Sequence, residues 1–283
     1  MQECGLGQLI CLVRPHSTNH LQPVPPRISR VTGDLTDPTS YVAELAGADT
    51  VVHLAAATGA TSDSELQRVN VAATRNLLTA ARDHGVGHFV QVSTIAAKAA
   101  DLDSYPYGKS KLAAEEIVRN SGLAYTIIRP TIVLASNAPN WHLLRRLACL
   151  PIVPLIGGGS ARVQPVDLTD VARAIAIAVT DHGPENTIVE IGGPEQLTFS
   201  EFLFRIRAAC GKRGRRGIPI PYSLLRTLLR TAAGISANRF PIGPGQLVPF
   251  IADGAVTPNW LQDRIEPEMR PLDELLRDIS HER

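Results

Sequence analysis

The sequence predicts an α/β fold built on a doubly wound parallel sheet, and three observations carry that expectation. Short, nearly continuous apolar runs such as Thr50–Leu54 and His88–Val92 recur along the first half, as in strands buried on both faces. Segments with helical spacing stand between them, and strand–helix alternation implies parallel pairing. Polar turns close several runs, as at Thr32-Gly33-Asp34 and Ser93-Thr94.

Leu9–Val13 reads as the first strand, Leu21–Pro26 as a proline-rich loop and Ile28–Val31 as the second strand. Thr39–Leu45 reads as a short helix and Thr50–Leu54 as a strand. Ser62–Arg82 has helical periodicity through Leu66, Val69, Ala73, Leu77 and Ala80, with Ser62 as a candidate cap. His88–Val92 is the fourth strand. Tyr107–Asn120 is a helix with Gly122 just past its end, and Tyr125–Ile128 is the fifth strand. Beyond Ala135 the rhythm breaks. Trp141–Cys149 reads as helix, Pro151–Pro154 as extended, Val163–Val166 as strand, and Thr169–Thr180 as a helix begun by Thr169 or Asp170. Ile188–Ile191 is a strand. Thr198–Cys210, Pro221–Ala233 and Leu272–Ile279 are helices. The division expected is residues 1–150 for the sheet domain and 151–283 for a smaller substrate-side region, with a soft boundary.

A chain of 283 residues holds one large core or a core with an appendage. A formal net charge of +1 gives no electrostatic reason to expect nucleic acid. No apolar run reaches the roughly 18 residues that span a bilayer, which leaves only peripheral membrane or complex association. Cys4, Cys11, Cys149 and Cys210 form no CxxC pair and no metal-ligand spacing. They read as reduced thiols of a cytoplasmic protein. Lys212–Arg216 is a basic run that reads as a solvated loop, and Trp141 and Trp260 read as core or wall residues.

The sharpest chemical constellation is Tyr107 and Lys111, four apart on one helix face, preceded by Ser93 and Thr94 at a strand end. A phenol ordinarily keeps its proton to about pH 10. A neighbouring ammonium favours the phenolate, so the hydroxyl can exchange a proton with a substrate carbinol or carbonyl. A hydroxyl from Thr94 or Ser93 can bind the same oxygen.

These residues, with Gly33–Asp37, Asp49–Ala56, Val69–Thr74, Val92–Thr94, Tyr107–Lys111, Ile128–Thr131 and Gln164–Ala172, resemble the extended and atypical short-chain dehydrogenases/reductases. This is the NAD-dependent epimerase/dehydratase-like group, with its Rossmann-like sheet. Phe240 to Asp253 resembles, more loosely, the branch with the nucleotide-binding accessory subunit of respiratory complex I. The resemblance implies an NAD(P)-dependent oxidoreductase or epimerase/dehydratase, with proton transfer coupled to hydride transfer. It implies that Thr94, Ser93, Tyr107 and Lys111 are catalytic, with Lys111 also holding the nicotinamide ribose. Asp34 and Leu35 would contact the adenine. His53, Leu54 and Ala55 would line the cofactor, Asn70 would support the site, and Pro130 and Thr131 would lie beside the nicotinamide. Arg14, at the end of the first strand, favours NADP over NAD by meeting a 2′-phosphate. The small-molecule substrate stays open among a sugar nucleotide, a steroid-like ketone and a quinone-linked lipid.

The sequence also departs from that pattern. The family opens with a strand, a glycine-rich turn and a helix whose N-terminus carries the pyrophosphate. Nothing before Leu9 supplies them. Gly5-Leu-Gly7 precedes a strand, and so does Gly157-Gly-Gly159. Residues 2–7 read as the tail of the missing helix, so roughly 20–25 in-frame codons are expected upstream. The missing strand would sit between Leu9–Val13 and Thr50–Leu54, leaving two facing edges unless those strands close up. The chain as given is then expected to be inactive, aggregation-prone and without saturable NADP(H) binding. Two other readings are a non-catalytic nucleotide-binding subunit of a larger assembly and a decayed product with no cofactor. Val133-Leu-Ala135 replaces a glycine-ended turn, so the substrate side is expected to differ.

Overall fold

The computed structural model describes residues 7–15, 27–59, 61–181, 183–227 and 253–281. The strand β1 is Leu9–Val13, β2 Ile28–Thr32, β3 Thr50–His53, β4 His88–Val92 and β5 Ala124–Pro130. The short strands β6, Val133–Leu134, β7, Val153–Ile156, β8, Arg162–Val163, and β9, Val166–Asp167, follow. Next come β10, Thr187–Ile191, β11, Leu197–Thr198, and β12, Gly217–Ile220. The helices are α1 at Asp63–Leu66, α2 at Ala73–Asp83, α3 at Pro106–Arg119, α4 at Pro139–Ala148 and α5 at Leu168–Thr180. Then come α6 at Phe199–Ala209, α7 at Trp260–Ile265 and α8 at Leu272–His281.

The main sheet has the order β10-β5-β4-β3, and β3, β4 and β5 run parallel with Thr50 opposite His88 and His88 opposite Ala124. A separate parallel pair joins β1 to β2. Among the described residues, β1 does not pair with β3, so the two strands have not closed up. Leu9, Ile10 and Leu12 are each more than a third exposed, as apolar side chains on an uncovered strand pair are. The α/β class and parallel core strands expected from the sequence are present.

Several local expectations need correction. Thr39–Leu45 is not one helix but two 3₁₀ turns, Pro38–Ser40 and Val42–Leu45. Ser62 does cap the next helix, accepting from the Glu65 N–H. However, residues Gln67–Ala72 between α1 and α2 wind as a π turn. The single strand expected over Val163–Val166 is split into β8 and β9. Gln164-Pro165 interrupts it, and proline has no N–H to give a ladder. The Asp167 carboxylate, rather than Thr169 or Asp170, accepts from the Thr169 N–H at the start of α5. The strand β12 and the helix α7 were not expected. Gly122, at φ +81°, ends α3 in the left-handed conformation that glycine adopts without strain. Residues 222–227 are helical, but the rest of the helix expected to Ala233 lies outside the described residues. So do Gln2–Leu6, Cys4, Leu21–Pro26 and nearly all of Phe240–Asp253.

The chain divides into two compact units, each made of several segments. Residues 1–93, 109–128 and 175–188 form the first, and 94–108, 129–174 and 189–283 the second. The first packs Phe89, Ile127, Leu77, Leu78, Val118 and Leu35 into one apolar core. The second packs Trp141, Phe199, Phe202, Leu203, Leu134 and Leu276 into another. Full burial of one such large side chain is worth about 1.5–3 kcal/mol.

Candidate cofactor and catalytic site

In the first unit the C-terminal ends of β3 and β4 meet the buried face of α3. His53, the last residue of β3, is fully buried with its Nε2 2.9 Å from the Thr74 hydroxyl. That hydroxyl gives its proton to the Asn70 carbonyl, so the ring nitrogen is the donor. Burial, with the Lys111 charge nearby, pushes His53 down to about 3. Asn70 is held from both sides. Its oxygen accepts from the Ala57 N–H at 2.7 Å, and its amide donates to the Ala57 carbonyl and to Ser110 at 2.9 Å. The π turn sets Asn70 inward, between Leu66 and Ala73, which are also buried.

Lys111 is buried to 2% exposure, and its Nζ donates to the Val92 carbonyl at the end of β4, 2.8 Å away. Burial pulls the ammonium down to about 8, against the Glu115 carboxylate, which favours the charged form. Glu115, one turn further along α3 and also buried, takes a short hydrogen bond from the Ser93 hydroxyl. The sequence reading missed Glu115 and Ser110. The available signal for Glu115 was its spacing, one turn from Lys111 on the same helix face.

The first unit also carries the residues at the end of β2. The Asp34 carboxylate is held below its ordinary value, mainly by the N–H and hydroxyl of Thr36 and then by the Arg68 and Arg14 charges. Arg68 forks onto Glu65 at 2.7 and 2.8 Å and donates to Thr36. Leu35 packs into the core with Tyr41 and Leu45, so only its backbone is available to a ligand. Leu54 is 62% exposed and Ala55 is exposed too, an uncovered apolar step just past β3.

The second unit holds Thr94 and Tyr107. Thr94 caps the 3₁₀ turn Ile95–Lys98, accepting from the Ala96 N–H. Gly108, in the first turn of α3, lies so close to this turn that a Cβ there would meet the Ala96 carbonyl at 2.9 Å and the Tyr105 ring at 2.7 Å. The residue after Tyr107 must therefore be glycine for the helix to approach the Thr94 turn. Burial pushes the half-buried Tyr107 phenol up to about 12. The helix α3 carries Tyr107 and Lys111 one turn apart. Pro130 and Thr131 are buried. The Thr131 hydroxyl donates to the Gln164 carbonyl and its N–H to Ile191, so both groups serve the scaffold.

The donor set fits the adenosine side of a dinucleotide. An apolar step at Leu54 and Ala55 follows β3, and the end of β2 carries one carboxylate, Asp34, with the Arg14 and Arg68 guanidiniums acting on it. Among the described residues, no glycine-rich turn joins a strand to a helix for the pyrophosphate, and no group of three His, Cys, Asp or Glu side chains is placed to hold a metal. No described helix is long and apolar enough to cross a membrane.

Comparison with known proteins agrees with this geometry. The NAD(P)H-binding family matches residues 6–182. The chain is 28% identical over 218 residues to the mitochondrial NADH dehydrogenase [ubiquinone] 1 alpha subcomplex subunit 9 of Arabidopsis thaliana, over 72% of this chain and 53% of that one. It is 30% identical to a dTDP-glucose 4,6-dehydratase of Streptomyces niveus, over 82% of this chain and 76% of the relative. The chain thus spans about half the length of the Arabidopsis relative. Among solved structures, a dTDP-glucose 4,6-dehydratase of Streptomyces venezuelae with NAD bound superposes with TM-score 0.68 at 24% identity, covering 96% of this chain and 86% of that one. A likeness at that identity speaks for the Rossmann fold alone. Sequence, fold and family match agree that the chain belongs to the NAD(P)H-binding, epimerase/dehydratase-like group of the short-chain dehydrogenase/reductase family.

Proposed function

We propose that the chain serves an NADP-dependent oxidoreductase or epimerase/dehydratase-type reaction in which the Tyr107 hydroxyl exchanges a proton with a substrate carbinol or carbonyl. The observation that carries this reading is α3, which presents Tyr107 one turn from a buried Lys111 anchored on the β4 end. Lys111, titrating near neutrality, can stay charged below about pH 8 and hold a ribose hydroxyl. The bound nicotinamide would supply hydride chemistry. Thr94 rather than Ser93 is the hydroxyl for the substrate oxygen, because Ser93 gives its proton to Glu115. Arg14 is the candidate for a 2′-phosphate, since guanidinium pairs with phosphate in a forked geometry that an acid would repel.

One assay tests the reading, run on the chain as given and on the same chain carrying an N-terminal strand, glycine-rich turn and helix. Where carbonyl substrates are reduced with NADPH, Tyr107→Phe should lower turnover by about 10²–10⁴-fold with NADPH affinity nearly unchanged. Wild-type turnover in that variant removes the catalytic assignment. Arg14→Ala should narrow the preference for NADPH over NADH, and equal affinity of the parent for both refutes the NADP reading.

A second reading is favoured by the relative from the NADH dehydrogenase alpha subcomplex. In it the chain holds a nucleotide without turnover, as part of a larger assembly. NADPH binding without reduction of any substrate supports it.

A further inference from the structure

A second place in the molecule assembles reactive groups far from any role in the reaction above. The helices α4 and α6 pack side by side in the second unit, and each ends on a cysteine, Cys149 and Cys210. Both thiols are free and partly exposed, and they are close neighbours. They line one open cavity of about 540 Å³ together with Arg145, Arg277, Ser280 and His281. The Ser280 hydroxyl stands 4.0 Å from the Cys210 sulfur. A cavity with two neighbouring thiols, two guanidiniums and no carboxylate in its lining has the composition of a site for an anionic disulfide.

We propose that Cys149 and Cys210 form a dithiol exchange site that reacts with an anionic small-molecule disulfide and closes into an intramolecular disulfide tying α4 to α6. The Cys149 thiolate attacks one sulfur of the small disulfide, a new S–S bond forms, and one small thiol leaves. Cys210 then loses its proton, its sulfur attacks the Cys149 sulfur, and the second small thiol leaves. Two protein thiols are oxidised, one small disulfide is reduced to two thiols, and no other oxidant is needed.

Burial, and then the neighbouring Cys149 sulfur, keep the Cys210 thiol above its ordinary value, which suits it to the second step. Both sulfurs sit at helix C-termini, whose partial negative charge disfavours thiolate. Arg145, whose charge acts on Cys210 in the opposite sense, and Arg277 offset this and draw the anionic reagent in.

The experiment treats the reduced chain with glutathione disulfide and maps peptides without reduction. A cross-linked pair containing Cys149 and Cys210 is expected, with both sulfurs lost to alkylation. In Cys210→Ser the reaction should stop at a stable glutathionyl adduct on Cys149. In Arg145→Ala the cross-link should form about threefold more slowly with glutathione disulfide but at an unchanged rate with the neutral 2-hydroxyethyl disulfide. The proposal is overturned if both cysteines stay alkylatable, or if the unsubstituted chain collects glutathionyl adducts without cross-linking. Equal slowing of Arg145→Ala with both reagents overturns the anionic specificity. Cys11, outside the cavity, serves as the internal reference for non-specific reaction.

Discussion

The buried ionisable side chains of the first unit are held differently from those of the second. Around β3, β4 and α3 they are His53, Lys111 and Glu115, ionisable groups, with the imidazole and ammonium pushed well off their ordinary values. Around β9, β10 and α7, Asp167 and Glu190 are paired with Arg270 and Lys98, and buried amides staple backbone. Gln164 donates to the Gly193 carbonyl at 2.7 Å and accepts from the Val256 N–H at 3.1 Å. Gln262 exchanges two bonds with the backbone of Gly192, and Asn259 donates to the Glu190 carbonyl. Glu190 itself is pulled below its usual value despite its burial, because Lys98 at 2.8 Å and the Thr257 N–H oppose that effect. Neutral amides can be satisfied completely by backbone and cost little once paired. A buried carboxylate paired with a cation is satisfied in its charged form, whereas His53 and Lys111 are pushed toward their neutral forms, as groups at proton-handling sites often are.

That contrast can be broken at three points. The largest effect belongs to His53. Its folded value of about 3 lies below the unfolded 6.5, so its contribution is fully present above pH 6.5 and is lost as pH falls toward 3. Over that window stability should drop by something on the order of 5 kcal/mol. His53→Gln keeps a donor for Thr74 without the titration and should flatten the acid limb in denaturant melts. An unchanged slope in the variant would place His53 with the passive amides. Lys111 comes next. With a folded value of about 8 against 10.5 unfolded, the unfolded chain binds the extra proton between those pH values, and stability rises across them. Lys111→Met should remove a rise on the order of 3 kcal/mol. The smallest effect is expected in the other unit. Gln164→Leu leaves the Gly193 carbonyl and the Val256 N–H without partners, costing about 2 kcal/mol. This loss should be the same at pH 5 and pH 9, and a pH-dependent loss would blur the distinction between the two regions.

Much of this architecture was legible in the sequence because buried parallel strands need unbroken apolar runs, and His88–Val92 and Thr50–His53 announce themselves that way. Tyr107 and Lys111 were legible because a helix fixes their spacing. What escaped was set by tertiary partners. The helix Trp260–Ile265 has only six residues, too few for a periodicity, and its start is marked only by the Asn259 cap. The strand Gly217–Ile220 contains Pro219 and reads as loop, yet it pairs with β7 in parallel. Glu115 looks like any solvent-facing helix acid until its burial beside Ser93 is seen. Thr94 and Ser93 were indistinguishable by residue type, and only the bond to Glu115 separates them.

The π turn at Gln67–Ala72 has a consequence for how this chain can change length. A π turn is an α-helix carrying one extra residue, a local widening that costs helical regularity. Trimming one residue there would let α1 and α2 merge into one smooth helix, a gain by local measures. The same trim would leave α1 and α2 in nearly the same phase, because a π turn absorbs its extra residue locally. What would be lost is the wider turn that carries the Asn70 amide to the Ala57 backbone. The deletion that makes the backbone most ideal is the one that unhooks Ala57 from Asn70.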